Sequence, residues 1–529
     1  MSSSAAALRP ATLQRRVVIA SCFGTFLEWY DFLTFASLAT YFGVLFFPPD
    51  NPVAGLLASL ATFGVGMLVR PLGAAFFGTL GDRYGRRPVF IATLMLMGVT
   101  TFAVGLLPTY PEVGMLAPAL LLLLRLLQGF SVGGEIGGAA VYLTEHAPAG
   151  RRGAYTSVLQ LMGPLGIMAS TAQIVLLDGL LTDAQFRSWG WRVPFIFSAV
   201  LLAITLKLRM SMYESPVFDR LRDRQGLSRA PLRECLRDAR TLGRMGLLFF
   251  CISAGGSLLF FSSQVYTNVF LKSVVKLEPQ LAGMLVMLST ILLFPLTVAF
   301  GALSDRIGRR PVLLAGLLLG ALTVFPVFKG LLHYGNPALE RFNREVPVQL
   351  HGASCAYGPF SATRNDCERN QELLARLGVS YTLHPASATG TASVRVGSQR
   401  EIVGYQPEVL IRALKADGWP ERADPLQVDR VMIVLLLIAL VVAVGLITGP
   451  QTTAIAELFP ARTRYTAVAL PHNLSAGWIG GMAPFMITLL SVKAGDPVAG
   501  VWYPVVLLAG ALAIGLAFLP ETRDVQLDE

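Results

Sequence analysis

Apolar residues in this chain come in long runs separated by short polar stretches. Runs near 17–47, 55–80, 88–107, 116–143, 153–178, 191–210, 244–271, 280–303, 311–332, 429–456, 466–492 and 502–519 can each cross a bilayer as a helix, for which about 20 apolar residues suffice. The pattern predicts twelve spans. One polar block, 333–428, interrupts the series between the ninth and tenth runs. The first run is too long for a cleaved signal peptide, contains acids and lacks a small-residue cleavage site, so it is read as a span.

Composition agrees. The chain has 529 residues, 53% of them hydrophobic and only 14% charged, where soluble domains carry about 25% charged residues. The net charge of +10 does not point to nucleic acid, because of where the arginines lie. With the N-terminus inside, cytoplasmic segments hold 24 Lys or Arg, and the short outer loops and span starts hold six. This bias orients the chain with both termini cytoplasmic. The central loop from Lys207 to Arg244 holds ten basic residues and reads as a topology determinant resting on anionic lipid.

Residues 78–90, "GTLGDRYGRRPVF", return at 301–313 as "GALSDRIGRRPVL", with nine of thirteen positions identical at an offset of 223. A second echo links "EHAPAGRRG" at 145–153 with "ELFPARTRY" at 457–465, at an offset of 312. The difference of 89 residues locates an insertion in the second half, which the polar block supplies. Removing it leaves two six-span halves, a repeat typical of transporters with a substrate site between the halves near the midplane. The expected organisation is a first bundle over 1–210, a cytoplasmic loop over 211–243, spans seven to nine over 244–332, the extracytoplasmic insertion over 333–428, and spans ten to twelve with the tail over 429–529. The fold class is all-α: twelve transmembrane helices in two six-helix pseudo-repeats, with a small extracytoplasmic insertion. The insertion holds ten basic and ten acidic residues, and its "DCERNQELLARLGV" reads as a short amphipathic helix. Its Cys355 and Cys367 are expected to form a disulfide. No metal-ligand spacing or catalytic constellation is visible in it, and it reads as a cap over the outer vestibule.

Five charged residues lie inside first-half spans: Glu28, Asp31, Arg70, Arg125 and Glu135. A charge at the bilayer centre costs at least about 2.5–3.5 kcal/mol unless it finds a partner or a polar cavity. Three carboxylates then face two guanidiniums, and because arginine stays protonated, any mobile proton rides on a carboxylate. Glu28, Asp31, Arg125 and Glu135 are the candidates for proton coupling; a buried ion-pair network that only orders the helices is the alternative. Arg70 is the first candidate for holding an anionic substrate, with Arg192 second, and Gln160, Gln264, Tyr266 and Asn473 as neutral hydrogen-bonding partners. His472 is open to a titrating or a packing role.

The repeated loops suggest a gate. Gly78, Asp82, Arg83, Gly85, Arg86 and Arg87 in the first half, with Asp305, Arg306, Arg309 and Arg310 in the second, could close the inner mouth through charge-assisted bonds. Here the sequence resembles the major facilitator superfamily, whose hallmark in this loop is G-x-L-x-D-R-x-G-R-R. It most resembles the metabolite:proton symporters, which carry α-ketoglutarate, citrate, shikimate, or proline and betaine. The resemblance rests on "FLEWYDF", "RPLGAAFFGTLGDRYGRRP", "RLLQGFSVGGE", "GWRVPF", "ESPVF", "AELFPARTRYTA" and "NLSAGWIGGMAPF". It ties the R-x-x-x-G run at Arg125 to proton coupling. Pro471, His472 and the insertion depart from the family pattern.

The reading is a proton-coupled symporter importing a small organic acid or zwitterion by alternating access, monomeric, in a bacterial-type plasma (inner) membrane. Its partners are the substrate, protons and the bilayer, with no nucleic acid. No cofactor or metal is expected, and the absence of GxxxxGK[ST] leaves an ion gradient as the energy source. An exporter or antiporter on the same fold and a non-transporting metabolite receptor are the rivals. An enzyme would need catalytic residues the sequence does not display.

Overall fold

The computed structural model describes residues 10–47, 52–352, 355, 365–385, 391–397 and 401–527. Twelve long helices carry it: α1 Pro10–Leu45, α2 Pro52–Tyr84, α3 Arg86–Gly105, α4 Leu116–His146, α5 Arg152–Leu180, α6 Gly190–Met210, α7 Ala239–Ser273, α8 Pro279–Ile307, α9 Arg309–Gly335, α10 Arg430–Glu457, α11 Arg464–Ala494 and α12 Ala499–Phe518. Eleven of them contain stretches long and apolar enough to cross a membrane, and α1, which carries Glu28 and Asp31, completes the set. The first six form one bundle, with α1 against α2, α5 and α6, and α4 against α2 and α3. The last six form the other, with α10 against α8 and α9, and α12 against α7 and α9. The bundles meet where α2 crosses α11, α5 crosses α8 and α10, and α4 crosses α11.

Small residues set the closest approaches. Gly129 and Gly133, one helical turn apart on α4, face Gly66 and Arg70 of α2 so tightly that a methyl at Gly133 would fall on the Arg70 carbonyl. The run "GFSVGG" therefore presses α4 onto α2 at the level of Arg70. Two glycines in the left-handed region, Gly85 with φ 115° and Gly308 with φ 106°, turn the chain between α2 and α3 and between α8 and α9. They occupy equivalent places in the repeat.

The polar block folds as a small α/β unit. A four-stranded sheet in the order β2-β1-β3-β4 uses β1 Val348–His351, β2 Thr382–His384, β3 Ser393–Val396 and β4 Ile402–Val403. The amphipathic stretch forms the helix Asp366–Leu377, and Cys355 and Cys367 are joined, with Cα atoms 5.4 Å apart. The unit is tied to the second bundle at the ends away from the arginine-rich loops: Asn336 Nδ2 donates to the Val275 carbonyl at 2.9 Å, and Tyr381 N to the Gly495 carbonyl at 2.7 Å.

Candidate functional site

"Inner" denotes the arginine-rich side. On that side the two bundles are locked together by a pseudo-symmetric set of bonds. Asp82, at the end of α2, accepts from Tyr465 N at 3.1 Å and from Thr466 N and Oγ1, both at 2.8 Å, at the start of α11. Its repeat-mate Asp305, at the end of α8, accepts from Gly153 N at 2.8 Å and Ala154 N at 2.9 Å at the start of α5. Each aspartate thus caps a helix of the opposite bundle, where free N–H groups and the helix dipole favour an anion. Arg86 adds a bond to the Ala461 carbonyl at 2.8 Å, and Gly78 lets α2 touch α11, since a Cβ there would stand 2.9 Å from Thr466 Cα.

Two glutamates complete the lock. Glu145 accepts from Arg464 at 2.9 Å and lies 3.7 Å from Arg86; Glu457 lies 3.3 Å from both Arg309 and Arg152. Arg87 and Arg310 brace their own bundles, donating to the Met210 and Leu516 carbonyls. Arg83 stacks on Tyr84, and among the described residues Arg306 offers only its carbonyl, to Arg523, so neither joins the lock. Sequence reasoning missed Glu145, Arg152, Glu457 and Arg464, although all four lie in the second echo, at the same offset of 312. With the inner side shut, Asp82→Asn is expected to shift the protein at least roughly tenfold toward an inner-open state, the worth of losing a charge-assisted bond. A cysteine placed at Thr452 reports this by faster labelling from the inner side; an unchanged rate would deny Asp82 that role.

Beyond the lock, between the bundles, lies a cavity of about 80 Å³. Arg70, Trp29, Gln160, Gln451, Thr452 and His472 supply its polar lining, and Phe260 and Phe261 its apolar wall. The helices that line it depart from regular geometry: α7 is π-helical over Leu248–Ser253 and Phe261–Tyr266, and α11 over Ala476–Gly480. Such bulges mark functional positions in long helices. Gln160 donates to Thr452 Oγ1 at 2.9 Å across the bundle boundary, and the Trp29 and Phe260 rings meet there at 5.3 Å.

A smaller pocket of about 20 Å³ lies behind the cavity, lined by Glu28, Asp31, Arg70, Arg125 and Gln128. Asp31 is held by Arg125 and by Gln128, each at 3.3 Å, and Arg125 lies over the Phe35 ring. Glu28 is different. It is 2% exposed, neither carboxylate oxygen has a hydrogen-bond partner among the described residues, and Arg70 approaches no nearer than 3.6 Å. Arg70 belongs to both spaces, facing Glu28 on one side and the cavity on the other.

Several candidates lie elsewhere. Glu135 does not line this pocket: Arg209, expected in the inner basic loop, turns inward from the last turn of α6 and pairs with it, helped by Thr93 at 2.9 Å. Three guanidiniums therefore match the three buried carboxylates, correcting the imbalance expected from sequence. Arg192 donates to the Ser188 and Leu107 carbonyls at 2.8 and 3.1 Å, fastening the outer start of α6. Gln264 bonds Thr290 and Ser263, Tyr266 packs on Phe270 and Phe328, and Asn473 donates to the Gly133 carbonyl at 2.9 Å, a contact between α11 and α4. None of these four lines the cavity. No cluster able to hold a metal ion occurs among the described residues.

The sequence profile of the sugar (and other) transporter family matches residues 17–242. The inner membrane metabolite transport protein YhjE of Escherichia coli (strain K12) is 36% identical over 388 residues, covering 72% of this chain and 87% of that protein. The shikimate transporter of the same strain is 38% identical over 333 residues, 60% of this chain and 72% of its own. Among solved structures, the major facilitator superfamily proton:xylose symporter XylE, bound to 6-bromo-6-deoxy-D-glucose, superposes with a TM-score of 0.63 at 16% identity, over 98% of this chain and 99% of that one. Twelve helices in two bundles, a lock repeated in both and this extent of relationship lead to one conclusion: the chain belongs to the major facilitator superfamily and is a multi-pass membrane transporter of small metabolites, not an enzyme.

Proposed function

We propose that the protein imports a small organic acid together with a proton, by alternating access, as a monomer in a bacterial inner membrane with both termini cytoplasmic. The observation that carries this reading is the position of Arg70, a guanidinium shared between the cavity and a carboxylate that, among the described residues, forms an ion pair with no other cation. A substrate carboxylate in the cavity draws Arg70 to itself, because guanidinium binds carboxylate bidentately. Glu28 is then a buried carboxylate without a counter-ion, a state too costly to persist, and a proton neutralises it. Asp31 keeps Arg125 throughout and holds that second charge in balance. One monoanion and one proton then move together, with no net charge.

The inner lock supports alternating access, since the same bonds in both halves close one mouth while the cavity lies beyond them. Uptake into proteoliposomes tests the proposal, using labelled shikimate, α-ketoglutarate, citrate, proline and betaine. Accumulation of an acid against its gradient is expected only with an inward proton gradient. Accumulation that ignores the proton gradient, or binding without any transport, would refute it.

A further inference from the structure

His472 lines the same cavity as Arg70, and its surroundings fix what it can do there. Its Nδ1 lies 2.8 Å from Ser253 Oγ on α7, across the groove between α11 and the π-helical segment Leu248–Ser253. Ser253 is wholly buried, and among the described residues its hydroxyl makes no other side-chain bond. Leaving a buried hydroxyl hydrogen without an acceptor is costly, so the Ser253 proton is given to Nδ1. A neutral imidazole that accepts at Nδ1 carries its hydrogen on Nε2. Nε2 has no hydrogen-bond partner among the described residues and is not closed off from solvent, and since His472 lines the cavity its Nε2–H is available there as a donor.

The rest of the lining says what such a donor would meet. Arg70 supplies a charged donor, and no carboxylate lines the cavity itself. A primary ammonium would find no anionic partner at the wall, whereas an oxygen-bearing acid finds two separate donors. We infer that His472 is a specificity-determining residue, its Nε2–H donating to a second oxygen of a substrate whose carboxylate Arg70 holds. The substrate class is a small hydroxy or oxo acid. This rests on the proposed binding of an organic acid at Arg70. Ser253 is a positioning residue, holding the imidazole in the tautomer that donates.

Binding to the purified full-length protein separates these claims, with two pairs of monocarboxylates as probes: shikimate with cyclohex-1-enecarboxylate, and lactate with propionate. The second member of each pair lacks the hydroxyl groups. The parent protein is expected to bind a hydroxylated acid about tenfold more tightly than its deoxy partner, the scale of one hydrogen bond at a site otherwise left unpaired. His472→Phe is expected to cut that difference to about twofold or less, through weaker binding of the hydroxylated member. His472→Gln, whose amide still offers a donor, restores most of it, and Ser253→Ala reduces it in part. Equal losses for both members of a pair in His472→Phe, or a parent that does not distinguish them, would overturn the inference while leaving acid binding at Arg70 intact. If the parent binds none of the four and no acid of the uptake panel, the proposed function falls and this inference with it.

Discussion

Arg70→Met is expected to raise the dissociation constant for the transported acid by roughly 100-fold or more and to abolish uptake. Removing one partner of a buried, hydrogen-bonded charge pair costs about 2–5 kcal/mol, and 2.7 kcal/mol is a factor of about 100. The change also strands Glu28, which has no other cation within bonding reach among the described residues. Arg70→Lys keeps the charge but loses the planar fork that meets a carboxylate through two parallel bonds, so it is expected to lose about tenfold. The check is a binding titration with both variants beside the parent, with thermal unfolding to show that each is folded. Unchanged acid affinity in folded Arg70→Met would remove the substrate role of this residue.

Glu28→Gln has an effect of comparable size on a different quantity. Accumulation driven by an inward proton gradient is expected to fall to equilibrium, with inner and outer concentrations equal. Exchange of labelled for unlabelled acid across the same membrane persists, because the cavity, the lock and Arg70 remain. Binding is expected to tighten if anything, since the glutamate no longer competes with the acid for Arg70. Asp31→Asn should behave otherwise. It leaves Arg125 buried among Phe35 and Gln128 with no anion, and breaking a buried pair in this way costs about 3–5 kcal/mol. Its main expected consequence is lower thermal stability. Accumulation in Glu28→Gln equal to the parent's would show that the proton rides elsewhere.

What the sequence made legible was the part written in repeats and in lengths. Runs of apolar residues gave the helices, and the offset of 223 pointed to Asp82 and Asp305, which occupy matching places in the lock. The second echo carried Glu145, Arg152, Glu457 and Arg464 just as openly, but a match of a few residues did not show that they face one another across the bundles. Rotation was harder to read. α10 is apolar on nearly all sides, so its pattern does not say that the face bearing Gln451 and Thr452 turns to the cavity. On α11, neighbouring residues point about 100° apart. Asn473 therefore reaches α4 while His472, one position earlier, lines the cavity. Arg209 was misplaced because a basic residue at the end of a span usually faces the inner surface, whereas this one folds back to Glu135.

The central claim is that the substrate takes Arg70 from Glu28 and that a proton then takes its place. Proton uptake on binding tests it most directly. Purified protein in weakly buffered solution, carrying a pH indicator, is mixed with an acid from the uptake panel that binds. The account predicts about one proton taken up per acid bound, and none in Glu28→Gln despite intact binding. Binding without proton uptake in the parent, or the same uptake in the variant, would contradict it.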